Sequence, residues 1–248
     1  MAFKQVKQSF NEYITIVSIE GNIGSGKSTL LETLKTTFKD NSNVFFLREP
    51  VDEWAKIKDK DGNTMLQKFY ANQQKYSFAF QMMAYISRLT ILRDMVKDIM
   101  SRVQIHKDPN NNIDNKYKYI IITERSLYTD KYVFAKMLYD QGKIEDVEYQ
   151  IYLNWFDEFA KDFPVNDVVY VNTDPTNCYE RIHKRARVGE EVIPLAYLES
   201  CHKYHNAFLD ETTGVKTHKL VLNGNQDIFQ NSQVIDEWIM SINNFLQI

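Results

Sequence analysis

The chain has 248 residues, 44% hydrophobic and 25% charged, the balance of a globular protein and enough for one α/β domain with a full core. No apolar run reaches the roughly 18 residues of a membrane span, and 30 Lys and Arg against 33 Asp and Glu leave a net charge of −3, which argues against nucleic acid as a main partner. The two cysteines, Cys178 and Cys201, match no metal spacing and read as reduced, partly buried thiols, and the five scattered histidines build no zinc site.

The opening stretch MAFKQVKQSFNEY lacks the apolar core of a signal peptide and the Arg/Ser richness of an organellar leader. It reads as a polar lead-in, with a cytoplasmic location as the expectation. The first predicted strand, Ile14–Ile19, runs into Gly21-Asn22-Ile23-Gly24-Ser25-Gly26-Lys27-Ser28, which fits G-x-x-x-x-G-K-[ST], and a helix beginning STLLETLKTTF follows. That strand–loop–helix order is what a phosphate-binding loop requires. Glycines let backbone N–H groups turn inward around a phosphate, the lysine supplies charge, and the Ser28 hydroxyl can ligate Mg²⁺. Thr29 opens the helix beside it. The loop implies a nucleoside triphosphate such as ATP. No Asn-Lys-x-Asp guanine reader is present, and the third strand ends in Thr123-Glu124-Arg125-Ser126 rather than in the Asp of a mechanical ATPase.

A second short strand, Val44–Arg48, leads to Glu49-Pro50, with the proline stopping the strand just after a carboxylate. In open parallel sheets the ligand sits beyond the carboxyl ends of the strands, so Glu49 can face the phosphate loop and take the proton of an attacking hydroxyl. A surface pair with Arg48 is the plainer alternative. Asp59–Asn63 (DKDGN) is a turn. Over residues 76–99, helical spacing puts Gln81, Ala84, Tyr85 and Arg88 on one face, able to look into a pocket while Phe78, Met82, Ile86 and Leu89 pack elsewhere.

An Asn- and Asp-rich segment, His106–Lys118, reads as an exposed loop before the third strand, Tyr119–Thr123. That strand ends in Glu124-Arg125-Ser126, where a carboxylate can hold Mg²⁺ and a guanidinium can offset charge on a transferred phosphoryl; a strand-end ion pair accounts for the same residues. The fourth and fifth strands are expected at Asp167–Asn172 and His218–Leu222. Between them Arg181 and Arg185 stand one turn apart, with Arg187 following, in a cationic helical stretch that a flexible piece at Val188–Glu191 ends. It reads as a solvated helix, as a basic patch for nucleic acid (disfavoured by the acidic whole), or as a lid closing over phosphates at about residues 181–193. Near-continuous apolar strands alternating with helices predict a P-loop NTPase-type, three-layer α/β/α fold with a five-stranded parallel sheet, a helical lid and a single domain over 1–248.

Taken together, the strings IEGNIGSGKST, LREPVDEW, FQMMAYISRL, ITERSLYTDKYVFA and YERIHKRAR with EEVIPLAYLESCH resemble the deoxynucleoside kinase family in order and spacing, from about residue 14 to 210. The resemblance implies ATP-dependent phosphorylation of a deoxynucleoside 5′-hydroxyl in nucleotide salvage, with Mg²⁺ and a homodimer. It implies catalytic roles for Glu49 as base, Arg125 as its partner at the same hydroxyl and Lys27, and a magnesium end at Ser28 and Glu124. Tyr70 and Glu190 would hold the 3′-hydroxyl, Trp54, Phe80 and Phe134 would line the base, and Gln81 would read its edge beside Ala84. Arg181, Arg185 and Arg187 match the lid arginines. Arg88 with Asp130 resembles the deoxycytidine and deoxyguanosine kinases rather than the thymidine-accepting members, so purine deoxynucleosides come first, deoxycytidine second and thymidine last. Gly189 stands where an acidic lid residue is usual. A nucleoside monophosphate kinase shares such a fold, but Glu49 would repel an acceptor phosphate. A non-catalytic binding subunit would not be expected to keep Lys27, Ser28, Glu49, Glu124 and Arg125.

Overall fold

The computed structural model describes residues 13–105, 118–210, 218–226, 228 and 232–248. Five strands form one parallel sheet in the order β2-β3-β1-β4-β5: β1 Ile14–Glu20, β2 Val44–Leu47, β3 Tyr119–Glu124, β4 Asp167–Asn172 and β5 His218–Asn223. Each lies within a residue or two of its predicted bounds. The predicted loop at His106–Lys118 falls, except for Lys118, outside the described residues.

The strands are apolar on both faces because helices cover both. In β1, Ile14 and Ile16 turn toward α4 (Gln73–Ile105) and α6 (Asp146–Phe159), joining Tyr85, Leu89, Ile99, Tyr152 and Phe156 in one core. Val17 and Ile19 turn to the opposite face, against Leu30, Leu31 and Leu34 of α1 (Lys27–Thr37) and Trp238 and Ile242 of α9 (Ser232–Leu246). Each fully buried leucine of α1 contributes roughly 2 kcal/mol by leaving water. This is the expected three-layer α/β/α arrangement. Chain order reverses at β1, which has β3 on one side and β4 on the other, and such a switch point opens a crevice at the carboxyl ends of the strands.

A third cluster roofs that crevice. It is made by Trp54 of α2 (Val51–Trp54), Phe69 of α3 (Met65–Ala71), Phe80 and Ala84 of α4, and Tyr197, Leu198 and Cys201 of α8 (Leu195–Leu209), with Cys178 and Ile182 of α7 (Pro175–Arg185). Both thiols are free and fully buried. Helix α3 starts where it does because Thr64 and Gln67 form a reciprocal capping box, each side chain accepting the other's backbone N–H at 3.3 and 2.8 Å. Helix α5 runs in three segments, Leu127–Thr129, a π-helical Asp130–Ala135 and Lys136–Asp140. The Asp59–Asn63 turn is present, its Asp59 carboxylate accepting the N–H groups of Asp61 and Asn63.

Three expectations need correction. Tyr85 is fully buried in the sheet-facing core against Tyr152 and Phe156, not turned to the crevice. Ile86 is half exposed rather than packed. The cationic helix stops at Arg185, two residues before Arg187: Ala186 takes a left-handed φ of 52°, and the chain continues in turns with Gly189 at φ 91°.

Candidate active site

A cavity of about 570 Å³ lies along the carboxyl edge of the sheet, from the P-loop to the aromatic cluster. At its P-loop end the backbone geometry depends on glycine. Gly24 has φ 78°, and a Cβ there would stand 2.6 Å from the carbonyl oxygen of Cys178, so the loop lies directly on α7. Asn22 anchors the turn below, its amide donating to the Leu198 carbonyl at 2.8 Å and its Oδ1 accepting the Ile23 N–H. Lys27, 4% exposed, donates its Nζ to the Asn22 carbonyl at 2.7 Å. Burial, reinforced by the nearby Arg125, lowers the ammonium to about 7. The Ser28 hydroxyl donates to Glu124 Oε1 at 2.5 Å.

Register places the next residues. Ile19 of β1 lies level with Glu124 of β3, and the Arg125 N–H donates to the Ile19 carbonyl at 3.0 Å. Arg125 follows with φ 62°, its Nη1 donating to both Glu49 oxygens at 2.9 and 2.8 Å and its guanidinium 5.1 Å from the centre of the Phe134 ring. Arg88 reaches Glu49 from α4, its Nη2 at 2.9 Å from Oε1. Burial alone would raise the Glu49 carboxyl, but Arg125, Arg88 and Lys27 outweigh it and hold the group down at about 2. The surface pair of Glu49 with Arg48 does not form; Glu49 turns inward to two buried arginines.

Arg88 also grips Asp130 through Nε at 2.9 Å and donates Nη1 to the Glu124 carbonyl at 2.6 Å. Burial depresses its charge, yet the two carboxylates more than restore it, so its pKa is raised overall. Burial lifts Asp130 to about 6 against the pull of Arg88; with the guanidinium in contact the pair is ionised at neutral pH.

Trp54, Tyr70, Phe80, Gln81, Ala84, Arg88, Asp130, Phe134 and Glu190 all line the far end of the cavity. Trp54 is pinned by an indole N–H bond to Ser87 Oγ at 2.8 Å and meets Phe80 edge-on at 5.7 Å. Tyr197, unmarked in the sequence reading, closes this end, 6.0 Å from Tyr70. Burial and then the Glu190 carboxylate raise the Tyr70 phenol well above its ordinary value, so it stays a neutral donor.

Arg181, Arg185 and Arg187 border the P-loop end. Arg181 donates to the Ser25 and Gln226 carbonyls at 3.4 and 3.2 Å, while Arg185 and Arg187 both pair with Glu190, the latter at 3.0 Å. Ile23 to Thr29 line the cavity; Gly21 and Asn22, also expected at the phosphates, are not part of its wall. Asn177, Lys184, Asn225, Gln226 and Trp238 also line it, though sequence reasoning passed over them. Helical spacing from Arg181 would have found Asn177 and Lys184, and the strand-end rule Asn225 and Gln226. Trp238 arrives only through tertiary packing.

A glycine-shaped turn at a helix N-terminus, a buried lysine, a hydroxyl–carboxylate pair and a second carboxylate between two arginines suit transfer of a phosphoryl group to a hydroxyl. The family model described as deoxynucleoside kinase matches residues 17–247. The chain belongs to the deoxynucleoside kinase family. It is 31% identical over 262 residues to deoxycytidine kinase 2 of Gallus gallus, covering 96% of this chain and 92% of that one. To the mitochondrial deoxyguanosine kinase of Xenopus laevis it is 31% identical over 242 residues, 89% and 85% of the two chains. To deoxycytidine kinase of Homo sapiens it is 32% identical over 209 residues, 78% and 74%. The kinase is thus an enzyme that moves phosphate from a nucleoside triphosphate to a hydroxyl. Among the described residues no helix is long and apolar enough to cross a membrane.

Proposed function

We propose that this kinase transfers the γ-phosphate of ATP to the 5′-hydroxyl of a deoxynucleoside, with deoxyadenosine and deoxyguanosine preferred, deoxycytidine accepted and thymidine poor. What carries the reading is Glu49, held between Arg125 and Arg88 at one edge of a cavity whose other edge is the P-loop. The donor phosphates lie in the loop against Lys27, where their charge restores the protonated form that burial discourages. Glu49 accepts the proton of the 5′-hydroxyl. A carboxylate as acidic as this is a weak base, which suffices for a loose transition state where the proton leaves late. Arg125 orients both the base and the hydroxyl.

The Ser28 hydroxyl and the Glu124 carboxylate, 2.5 Å apart at the cavity wall, fit Mg²⁺, which takes few protein oxygens and keeps its waters. Bound there, Mg²⁺ would neutralise charge on the transferred phosphoryl.

The 3′-hydroxyl falls to Tyr70 and Glu190, and the base lies among Trp54, Phe80 and Phe134 with its edge on Gln81. The Arg88–Asp130 pair fills the space a thymine methyl would need and supports amino-bearing and purine bases. The residues around 181–193 act as the lid of a single domain. A stripe on α6, Val147, Ile151, Trp155 and Phe159, leaves 40–65% of each residue exposed at four-residue intervals, as a homodimer interface would require. A cytoplasmic role in nucleotide salvage accords with the reaction.

Turnover of deoxyadenosine, deoxyguanosine, deoxycytidine, thymidine and adenosine with MgATP tests the reaction beside a Glu49→Gln control. Fast 5′-monophosphate formation that falls by roughly 100-fold or more in the control supports it; no turnover with any nucleoside refutes it. A double variant Arg88→Met, Asp130→Ala should gain thymidine activity, and one that does not defeats the base-preference reading.

A further inference from the structure

Glu20, the last residue of β1, is fully buried next to the P-loop, and the catalytic reading leaves it unused. Its partners are hydroxyls. Oε1 accepts from Ser18 Oγ at 2.5 Å and from Ser126 Oγ at 2.7 Å, and Oε2 accepts from Thr129 Oγ1 at 2.5 Å. Ser126 and Thr129 are the two members of the capping box that starts α5. Because each hydroxyl gives its single proton to Glu20, its lone pairs are left facing the backbone: Ser126 Oγ accepts the Thr129 N–H at 3.1 Å, and Thr129 Oγ1 accepts the Ser126 N–H at 3.4 Å. The carboxylate therefore sets the polarity of the whole cap.

The residue just before that cap is Arg125, whose φ of 62° is a conformation an L residue seldom holds unless its surroundings impose it. The surroundings here are the last two residues of β1. Ile19 takes the Arg125 N–H, and Glu20 ties down the two residues of the cap that follows. If the cap loosened, Arg125 could relax to negative φ and swing its guanidinium off Glu49. We propose that Glu20 is a positioning residue for phosphoryl transfer: by locking the Ser126–Thr129 cap it holds Arg125 in the left-handed conformation that aims its guanidinium at Glu49. This rests on the reading of Glu49 and Arg125 as the reacting pair.

The test is a double-mutant cycle in the full-length enzyme. Glu20→Gln, which puts an N–H₂ donor against the hydroxyls, should lower kcat roughly 10- to 100-fold, with the KM of donor and acceptor little changed. In an Arg125→Lys background the same change should add almost nothing, because the group it positions is already gone. Thr129→Val, close in shape but without the hydroxyl, should reproduce the loss, and Thr129→Ser should keep full activity. Equal losses from Glu20→Gln in both backgrounds, or an unchanged kcat in a folded Glu20→Gln or Thr129→Val protein, overturn the proposal. A crystal structure of Thr129→Val settles it whichever acceptor the kinase uses: Arg125 still near its left-handed φ and on Glu49 overturns it. A wild type that phosphorylates no deoxynucleoside defeats the reaction reading alone, and that structure still decides the role of Glu20.

Discussion

The two ends of the cleft are made by opposite means. The P-loop end comes from one contiguous run, Gly21 to Thr29, in which Gly21, Gly24 and Gly26 all take positive φ, and Gly21 and Gly24 lie so close to the Val171 and Cys178 carbonyls that no side chain fits. The far end is assembled from α2, α3, α4, α5, the lid and α8, residues from Trp54 to Tyr197, held by a buried network of Arg88, Glu49, Asp130 and Arg125. Backbone donors in a tight turn bind phosphate whatever the rest of the molecule does. A pocket for a neutral nucleoside must be shaped by side chains, each fixed by a partner from another element. The first end should therefore fail in chemistry when altered, the second in alignment and stability.

The largest expected effect lies at the loop. Lys27→Ala should reduce kcat/KM by at least about 10³-fold, roughly 4 kcal/mol of transition-state stabilisation. The thermal midpoint of the ligand-free protein should hold or rise, since a buried ammonium is removed. Steady-state kinetics with calorimetry checks both, and a large fall in stability would break the contrast.

A smaller effect separates the ends by pH. His205, fully buried, stacks on Tyr170 and meets the Phe134 ring edge-on, and its Nδ1 bonds the Cys201 carbonyl at 2.8 Å. Burial first, then Arg125, lowers this imidazole to about 3. A depressed histidine keeps its full stabilising contribution above the unfolded value near 6.5 and loses it as pH falls, because only the unfolded chain takes up the proton. Between pH 7 and 5 that loss is about 2 kcal/mol. Asp130, lifted to about 6, gains stability over the same range in both proteins, so urea unfolding at the two pH values should show a loss about 2 kcal/mol larger in the wild type than in His205→Leu.

The smallest change probes a support. Thr64→Ala removes the cap of α3, worth about 1 kcal/mol, from the helix that carries Tyr70 and, through Gln67, backs Gly189 of the lid. The acceptor KM should rise a few-fold while the donor KM stays constant. Equal shifts in both would show that the ends are not independent.

Much of the site was legible. All five strands showed as short apolar runs, the P-loop as a motif in its proper setting, and Glu49, Glu124 and Arg125 through the rule that ligands gather at strand carboxyl ends. Helical spacing turned Gln81, Ala84 and Arg88 toward the cavity they line, and Tyr85 with them, which instead lies in the sheet-facing core. On a 33-residue helix wrapped by sheet, cleft and α6, residues one turn apart enter different environments, and periodicity cannot say which neighbour each meets. Nothing in DKYVFA marks a π-helical segment, yet that segment carries Asp130 to Arg88 and Phe134 to Arg125. The lid's left-handed Ala186 was equally invisible.

What the amino-acid sequence determined by itself was local. It set the strand–loop–helix of the P-loop, the alternation that makes a parallel sheet, and the residue types at strand ends, because each depends on neighbours a few positions away. Tertiary structure alone decided which charges meet. Glu49 left Arg48 for Arg88 and Arg125, Glu190 took two lid arginines, and Glu20 took three hydroxyls, because a buried charge must find whatever partner the packed elements bring to it.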